Sequence, residues 1–253
     1  MSKEPAYRAA DGMGVPVSRS KGLLSFLRDI VVVILIALVV SFLVKTFLVR
    51  SFFIPSGSME DTLAVDDRIL VDELTPRFTG YDRGDVVVFR DPGGWLPQIS
   101  PPSRSPLADG FDRFLTVIGL SAADSDEHLV KRIIGLPGDH VECCNSLGQI
   151  TVNGSPIDES AYIKLPSDSA PASALEFDVV VPDNALWVLG DNRNRSQDSR
   201  YHQEEPGAGF VPLENVVGRS FIITWPFERW STIDSHPEVF NSVRDATTND
   251  DGE

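Results

Sequence analysis

Hydrophobic positions in this chain fall into two regimes. Between positions 30 and 49 apolar residues follow one another with interruptions only at Ser41, Lys45 and Thr46. Those twenty positions have no polar face, and a buried core helix of that character is rare in a domain of this size. Their length is what a helix needs to cross a bilayer core of about 30 Å. From Phe52 onward the apolar runs are short, rich in Val, Ile and Phe, and punctuated by Gly, Pro, Asn or Asp. That spacing predicts strands at 68–71, 85–90, 129–135, 140–143, 149–152, 177–181, 186–189 and 216–225, with Asn153-Gly154 as a tight hairpin turn. Strands without intervening helical patterns predict an antiparallel fold. The fold class is therefore mostly β: one N-terminal transmembrane helix, then an antiparallel β-rich domain. Four segments follow. Residues 1–22 read as a disordered cytoplasmic tail and 23–50 as the anchor. Residues 51–231 read as the β-rich domain, with a variable insertion at 91–127. Residues 232–253 read as an acidic disordered tail. Inside the insertion, Phe111, Phe114, Leu115 and Ile118 stand at helical spacing and predict a short amphipathic helix.

Charge adds orientation. The chain carries a net −15, yet its first fifty residues hold seven basic and three acidic side chains. A basic head before the apolar run keeps the N-terminus in the cytoplasm and puts the rest outside the plasma membrane. No Ala-x-Ala-like site follows the run, so it reads as a retained anchor rather than a cleaved leader. The acidic body excludes nucleic-acid binding. Cys143 and Cys144, the only cysteines, cannot build a disulfide framework; a vicinal disulfide and two buried thiols both stay open. No Cys/His spacing suggests a metal, and no cofactor is expected.

Two residues carry the candidate chemistry. Ser58 lies in the turn Pro55-Ser56-Gly57-Ser58-Met59, a few residues beyond the apolar run. A serine hydroxyl needs a base to become a nucleophile. Lys131 lies in the apolar setting Leu129-Val130-Lys131-Arg132-Ile133-Ile134. Burial there lowers an amine's pKa and makes it a base.

These blocks, in order, resemble type I signal peptidases of bacteria, in the form with one membrane span. The matching segments are Ser56-Gly57-Ser58-Met59 with Thr62-Leu63, then 67–71, then 83–89, then Lys131-Arg132-Ile133-Ile134-Gly135-Leu136-Pro137-Gly138-Asp139, and finally 190–200. The resemblance implies a serine endopeptidase that removes N-terminal signal peptides from preproteins after Ala-x-Ala-like sites. It implies Ser58 as nucleophile and Lys131 as general base, a variant of triad logic. It implies an oxyanion hole from the Ser56 hydroxyl and the Ser58 N–H, with Ser196 orienting Lys131. Asp198 with Arg200, and Asp191 with Arg132, are implied as structural pairs. Substrate pockets are implied from Phe52, Ile54, Met59, Leu63, Val88, Leu129 and Val130. The implied partners are preproteins and the lipid bilayer, with the enzyme a monomer. The chain departs from the family pattern at Asp66-Asp67, where Gly-Asp is usual, and at Asp61, where proline is usual.

Overall fold

The computed structural model describes residues 19–47, 49–96, 128–167 and 169–243, and within the first helix the side chains of 25–40. The chain divides into two units, 1–43 and 44–253. In the first, helix α1 (Arg19–Phe47) runs for 29 residues. Its described side chains are exposed on all sides, including Phe26, Val33, Ile36 and Leu38. Among the described residues no helix is long and apolar enough to cross a membrane. The described side chains of α1 end at residue 40, fewer than the roughly 20 positions a bilayer requires.

The second unit is built of antiparallel β-structure. Its strands are β1 (Val49–Phe53), β2 (Arg68–Asp72), β3 (Val86–Arg90), β4 (His128–Gly135), β5 (His140–Cys143), β6 (Ile150–Val152), β7 (Ser155–Pro156), β8 (Phe177–Val180), β9 (Ala185–Leu189), β10 (Val211–Pro212), β11 (Val216–Trp225) and β12 (Ser231–Thr232), with one short helix, α2 (Thr75–Thr79), between β2 and β3. One sheet has the order β1-β2-β11-β3-β4-β9-β10, with β12 on the side of β11; a smaller sheet runs β7-β6-β5-β8. Asn153 and Gly154, at φ 50° and 74°, close the β6–β7 hairpin in the left-handed geometry that this pair favours.

Strand β3 shows why its sequence is a continuous apolar run. Val86 and Val88 belong to a core with Phe52, Ile54, Met59, Leu63, Ile69 and Val71. Val87 and Phe89 point the other way, into a core with Trp95, Ile133, Leu186 and Val188. Both faces of the strand are covered, so alternation disappears. A third core lies under the smaller sheet, with Val141, Ile150, Val152 and Trp187. Each such side chain contributes about 1.5–3 kcal/mol by leaving water.

Two expectations change here, and one open alternative closes. Residues 49–53, where no strand was expected, form one: β1 pairs with β2 from Val49↔Asp72 to Phe53↔Arg68. The stretch 232–243 is no solvated tail, because Val239 and Phe240 are buried in the third core. Its acidic residues hid two apolar side chains four and three positions before the end of the described chain. Cys143 and Cys144 are joined as a vicinal disulfide. The amphipathic pattern at 111–118 lies outside the described residues.

Candidate active site

Ser58 sits in a 3-10 turn, Gly57–Met59, whose preceding residue Ser56 is extended. Met59 is buried and pins the turn to the core below. The Leu63 N–H donates to the Met59 carbonyl at 2.7 Å, and the Ile54 and Asp66 backbones close the loop through Ile54 N–H to Asp67 O and Asp66 N–H to Ile54 O, both 2.9 Å. Asp66 takes φ 73°. Glycine reaches that left-handed geometry freely, and aspartate is among the few other residues that tolerate it; this accounts for the departure from Gly-Asp. Asp67 is buried and accepts from Ala64 N–H at 2.8 Å and from the Arg229 guanidinium at 2.9–3.2 Å.

Lys131 comes from β4, where the β3–β4 register sets it opposite Val87. It is 3% exposed. Its Nζ lies 2.8 Å from Ser58 Oγ and donates to the Val130 carbonyl at 3.0 Å. Burial pulls its pKa down to about 8, against the opposing pull of the Asp198 and Asp191 carboxylates. The Ser56 hydroxyl lies 3.4 Å from Ser58 Oγ, a long contact.

The loop after β9 closes the site from the other side. The Asn192 N–H donates to the Ser58 carbonyl at 3.1 Å. Gly190 is placed so that a Cβ would lie 2.2 Å from Ser196 Oγ and 2.5 Å from the Ser58 carbonyl oxygen. Gly190→Ala is therefore expected to push the nucleophile turn away from Lys131 and to cut kcat by about two orders of magnitude. Steady-state cleavage by the purified variant checks this; a rate within a few-fold of the parent would contradict the close approach.

Asp198 holds the loop. It is fully buried and accepts from Gly190 N–H at 3.0 Å and from Arg200 Nε and Nη2 at 2.8 and 2.7 Å. Burial opposes its ionisation, yet the Arg200 pairing and the Gly190 N–H keep its carboxyl below the usual carboxylate value. Asp191 pairs with Arg132 at 2.9 and 2.8 Å, and both are fully buried. Arg132 also donates to the Gly84 and Asp234 carbonyls at 2.7 and 2.9 Å and lies 4.2 Å over the Tyr162 ring.

Ser196 is buried beside Gly190. Its hydroxyl helps hold the Asp198 carboxyl below the usual carboxylate value, while Lys131 Nζ is hydrogen-bonded to Ser58 and Val130. Among the pocket residues, Phe52, Ile54, Met59, Leu63 and Val88 form one closed core with Val130 at its margin. Leu129 packs in the other core, with Phe89 and Trp95. Neighbouring residues of a strand face opposite ways, which places Leu129 and Val130 on different faces of β4.

Thr62 stood in a matching block without an assigned role, and two further residues of the site carried no mark in the sequence. The Thr62 hydroxyl donates to Asp191 and receives from Arg132. Glu159 forms a buried pair with Arg193, and the Tyr162 hydroxyl donates to Glu159 at 2.7 Å. Arg193 stood within the 190–200 block, but Glu159 and Tyr162 lie in an irregular stretch without periodicity, and only their burial reveals them.

The family model for "Signal peptidase, peptidase S26" matches residues 27–225. The signal peptidase I of Mycobacterium tuberculosis is 38% identical over 83% of this chain and 76% of its own length. The probable signal peptidase I of Mycobacterium leprae is 36% identical over 92% of this chain and 86% of its own. The signal peptidase I S of Bacillus subtilis is 31% identical over 83% and 94%. The chain belongs to the signal peptidase family, peptidase S26. It is accordingly a serine peptidase of the signal-peptide-processing class.

Proposed function

We propose that this chain is a membrane-tethered endopeptidase that cuts signal peptides from exported preproteins through a Ser58–Lys131 dyad. The observation that carries this reading is a buried amine 2.8 Å from the Ser58 hydroxyl and, among the described residues, hydrogen-bonded to that hydroxyl and one carbonyl. Neutral Lys131 takes the Ser58 proton as Oγ adds to the scissile carbonyl. The Ser58 N–H and the Ser56 hydroxyl stabilise the oxyanion, Ser56 turning from Ser58 Oγ to the substrate. Protonated Lys131 then gives its proton to the departing amine. The acyl group stays on Ser58 until water, deprotonated by Lys131, releases it. Asp198–Arg200 and Asp191–Arg132 hold the two backbones that meet at the dyad, and Ser196 acts by packing.

The substrate lies extended against strand edges, gaining main-chain hydrogen bonds, and Ala-x-Ala-like small side chains suit a site whose neighbouring apolar residues are already packed together. The anchor reading rests on the apolar positions 30–49 and on the exposure all round of the described part of α1. With the basic head, it puts the N-terminus in the cytoplasm and the catalytic unit outside as a monomer.

A base with a pKa near 8 is competent only above that value. Cleavage measured as kcat/KM is expected to rise about tenfold per pH unit up to roughly pH 8 and to level off beyond it. A profile already flat at pH 6 would contradict Lys131 as the base. The direct test of function is cleavage of a preprotein by the full chain in detergent, beside Ser58→Ala; a Ser58→Ala protein that still cuts would exclude Ser58 as nucleophile.

A further inference from the structure

The turn that carries Ser58 has a carboxylate lying across it. A Cβ at Gly57 would meet Glu60 Oε1 at 2.5 Å, so this carboxylate packs directly against the Gly57 backbone. Negative charge therefore stands against the turn whose Ser58 N–H, on the reading above, receives the substrate oxygen as it becomes negative. Left alone, it would raise the barrier to acylation.

It is not left alone. Asn192 Nδ2 donates to Glu60 Oε2 at 3.1 Å. Lys164 Nζ and Arg195 Nη1 each lie 3.7 Å from the same oxygen. Lys164 also pairs with Asp61 at 3.0 Å, the position where the family usually has proline. The Lys164 backbone is bound to the same loop: its N–H donates to the Asp191 carbonyl at 2.8 Å, and its carbonyl accepts from the Arg193 N–H at 3.2 Å. A cation is thus held by two main-chain hydrogen bonds next to the one carboxylate that crosses the nucleophile turn, and that cation reaches on to Asp61.

We propose that Lys164, assisted by Arg195 and Asn192, is a positioning residue that neutralises Glu60 beside the oxyanion site and holds the nucleophile turn through Glu60 and Asp61. The inference rests on Ser58 being the nucleophile. Lys164 touches no reacting atom; it acts through Glu60. Its side chain is 44% exposed, so the effect is screened and modest.

The test is a double-mutant cycle on the full chain in detergent, with a preprotein as substrate. Lys164→Ala is expected to lower kcat about fivefold with KM unchanged, because the unopposed Glu60 charge acts on the transition state and not on substrate binding. Adding Glu60→Gln to Lys164→Ala is expected to restore kcat to within about twofold of the parent, since the amide can still accept from Asn192. The Lys164→Ala deficit is also expected to shrink at about 0.5 M salt, where screening lengths fall below roughly 5 Å. Full activity in Lys164→Ala, or a double variant as slow as the single one, would overturn the proposal. A parent that cuts, a dead Ser58→Ala and unaffected Lys164 variants would sink the clamp alone; a parent that does not cut would sink the functional reading itself.

Discussion

Lys131→Arg is expected to abolish measurable cleavage, with kcat/KM falling between about 10² and 10⁴-fold, the range that a general base contributes. The substitution keeps the charge and changes only what the dyad needs. Guanidinium does not give up its proton in proteins, so Ser58 has no acceptor. Lys131 tolerates the role because burial outweighs two nearby carboxylates and brings its pKa to about 8. An ordinary surface lysine, near 10.4, would be neutral in only a fraction of a percent of molecules at pH 7. Lys131→Met should be equally inactive while keeping a folded, cooperative melt, which separates lost chemistry from lost structure. Cleavage assays on both variants, beside thermal unfolding, decide the matter; an arginine variant retaining a tenth of the parent rate would reduce Lys131 to an electrostatic role.

Asp191→Ala has the largest expected effect on stability. Arg132 is wholly enclosed, and Asp191 is the only carboxylate hydrogen-bonded to it among the described residues. Removing one partner of a buried ion pair costs about 3–5 kcal/mol, because the remaining charge has no water to turn to. For a domain of this size each kcal/mol lowers Tm by about 2–4 °C, so a fall of roughly 10 °C or more is expected. Activity should drop with it, since Thr62 loses its acceptor and Thr62 lies four residues from the nucleophile. Replacing the pair together, Arg132→Met with Asp191→Leu, should recover much of the stability, because no charge is then stranded. Calorimetry of the three variants checks this; a single variant melting within 2 °C of the parent would show that Arg132 finds other compensation, for instance in the Gly84 and Asp234 carbonyls.

Much of this architecture was legible in the residues. The eight strand segments reappear within one residue at nearly every end, because each is an apolar run bounded by Gly, Pro, Asn or Asp. Arg132 with Asp191, and Asp198 with Arg200, were legible only through the family resemblance, since the 190–200 block by itself reads as a polar loop. Shorter elements escaped: β7, β10 and β12 span two residues each, too few for any periodicity. Strand β1 was hidden because its first residues continue the apolar run before it, and only pairing with β2 separates the two. Glu159 was invisible, since nothing local distinguishes a carboxylate that will be buried against Arg193 from one that stays in water. The close packing of Ser196 against Gly190 was likewise invisible, because a contact made only in three dimensions leaves no local pattern.

The central claim is that the Lys131 amine gives up its proton near neutrality beside Ser58. The chain has five lysines, few enough for ¹⁵N-lysine NMR of the full chain in detergent micelles, with Lys131→Arg identifying the signal by its loss. The dyad predicts that this one nitrogen titrates with a midpoint near 8. A midpoint at the ordinary lysine value of about 10.4 would contradict it.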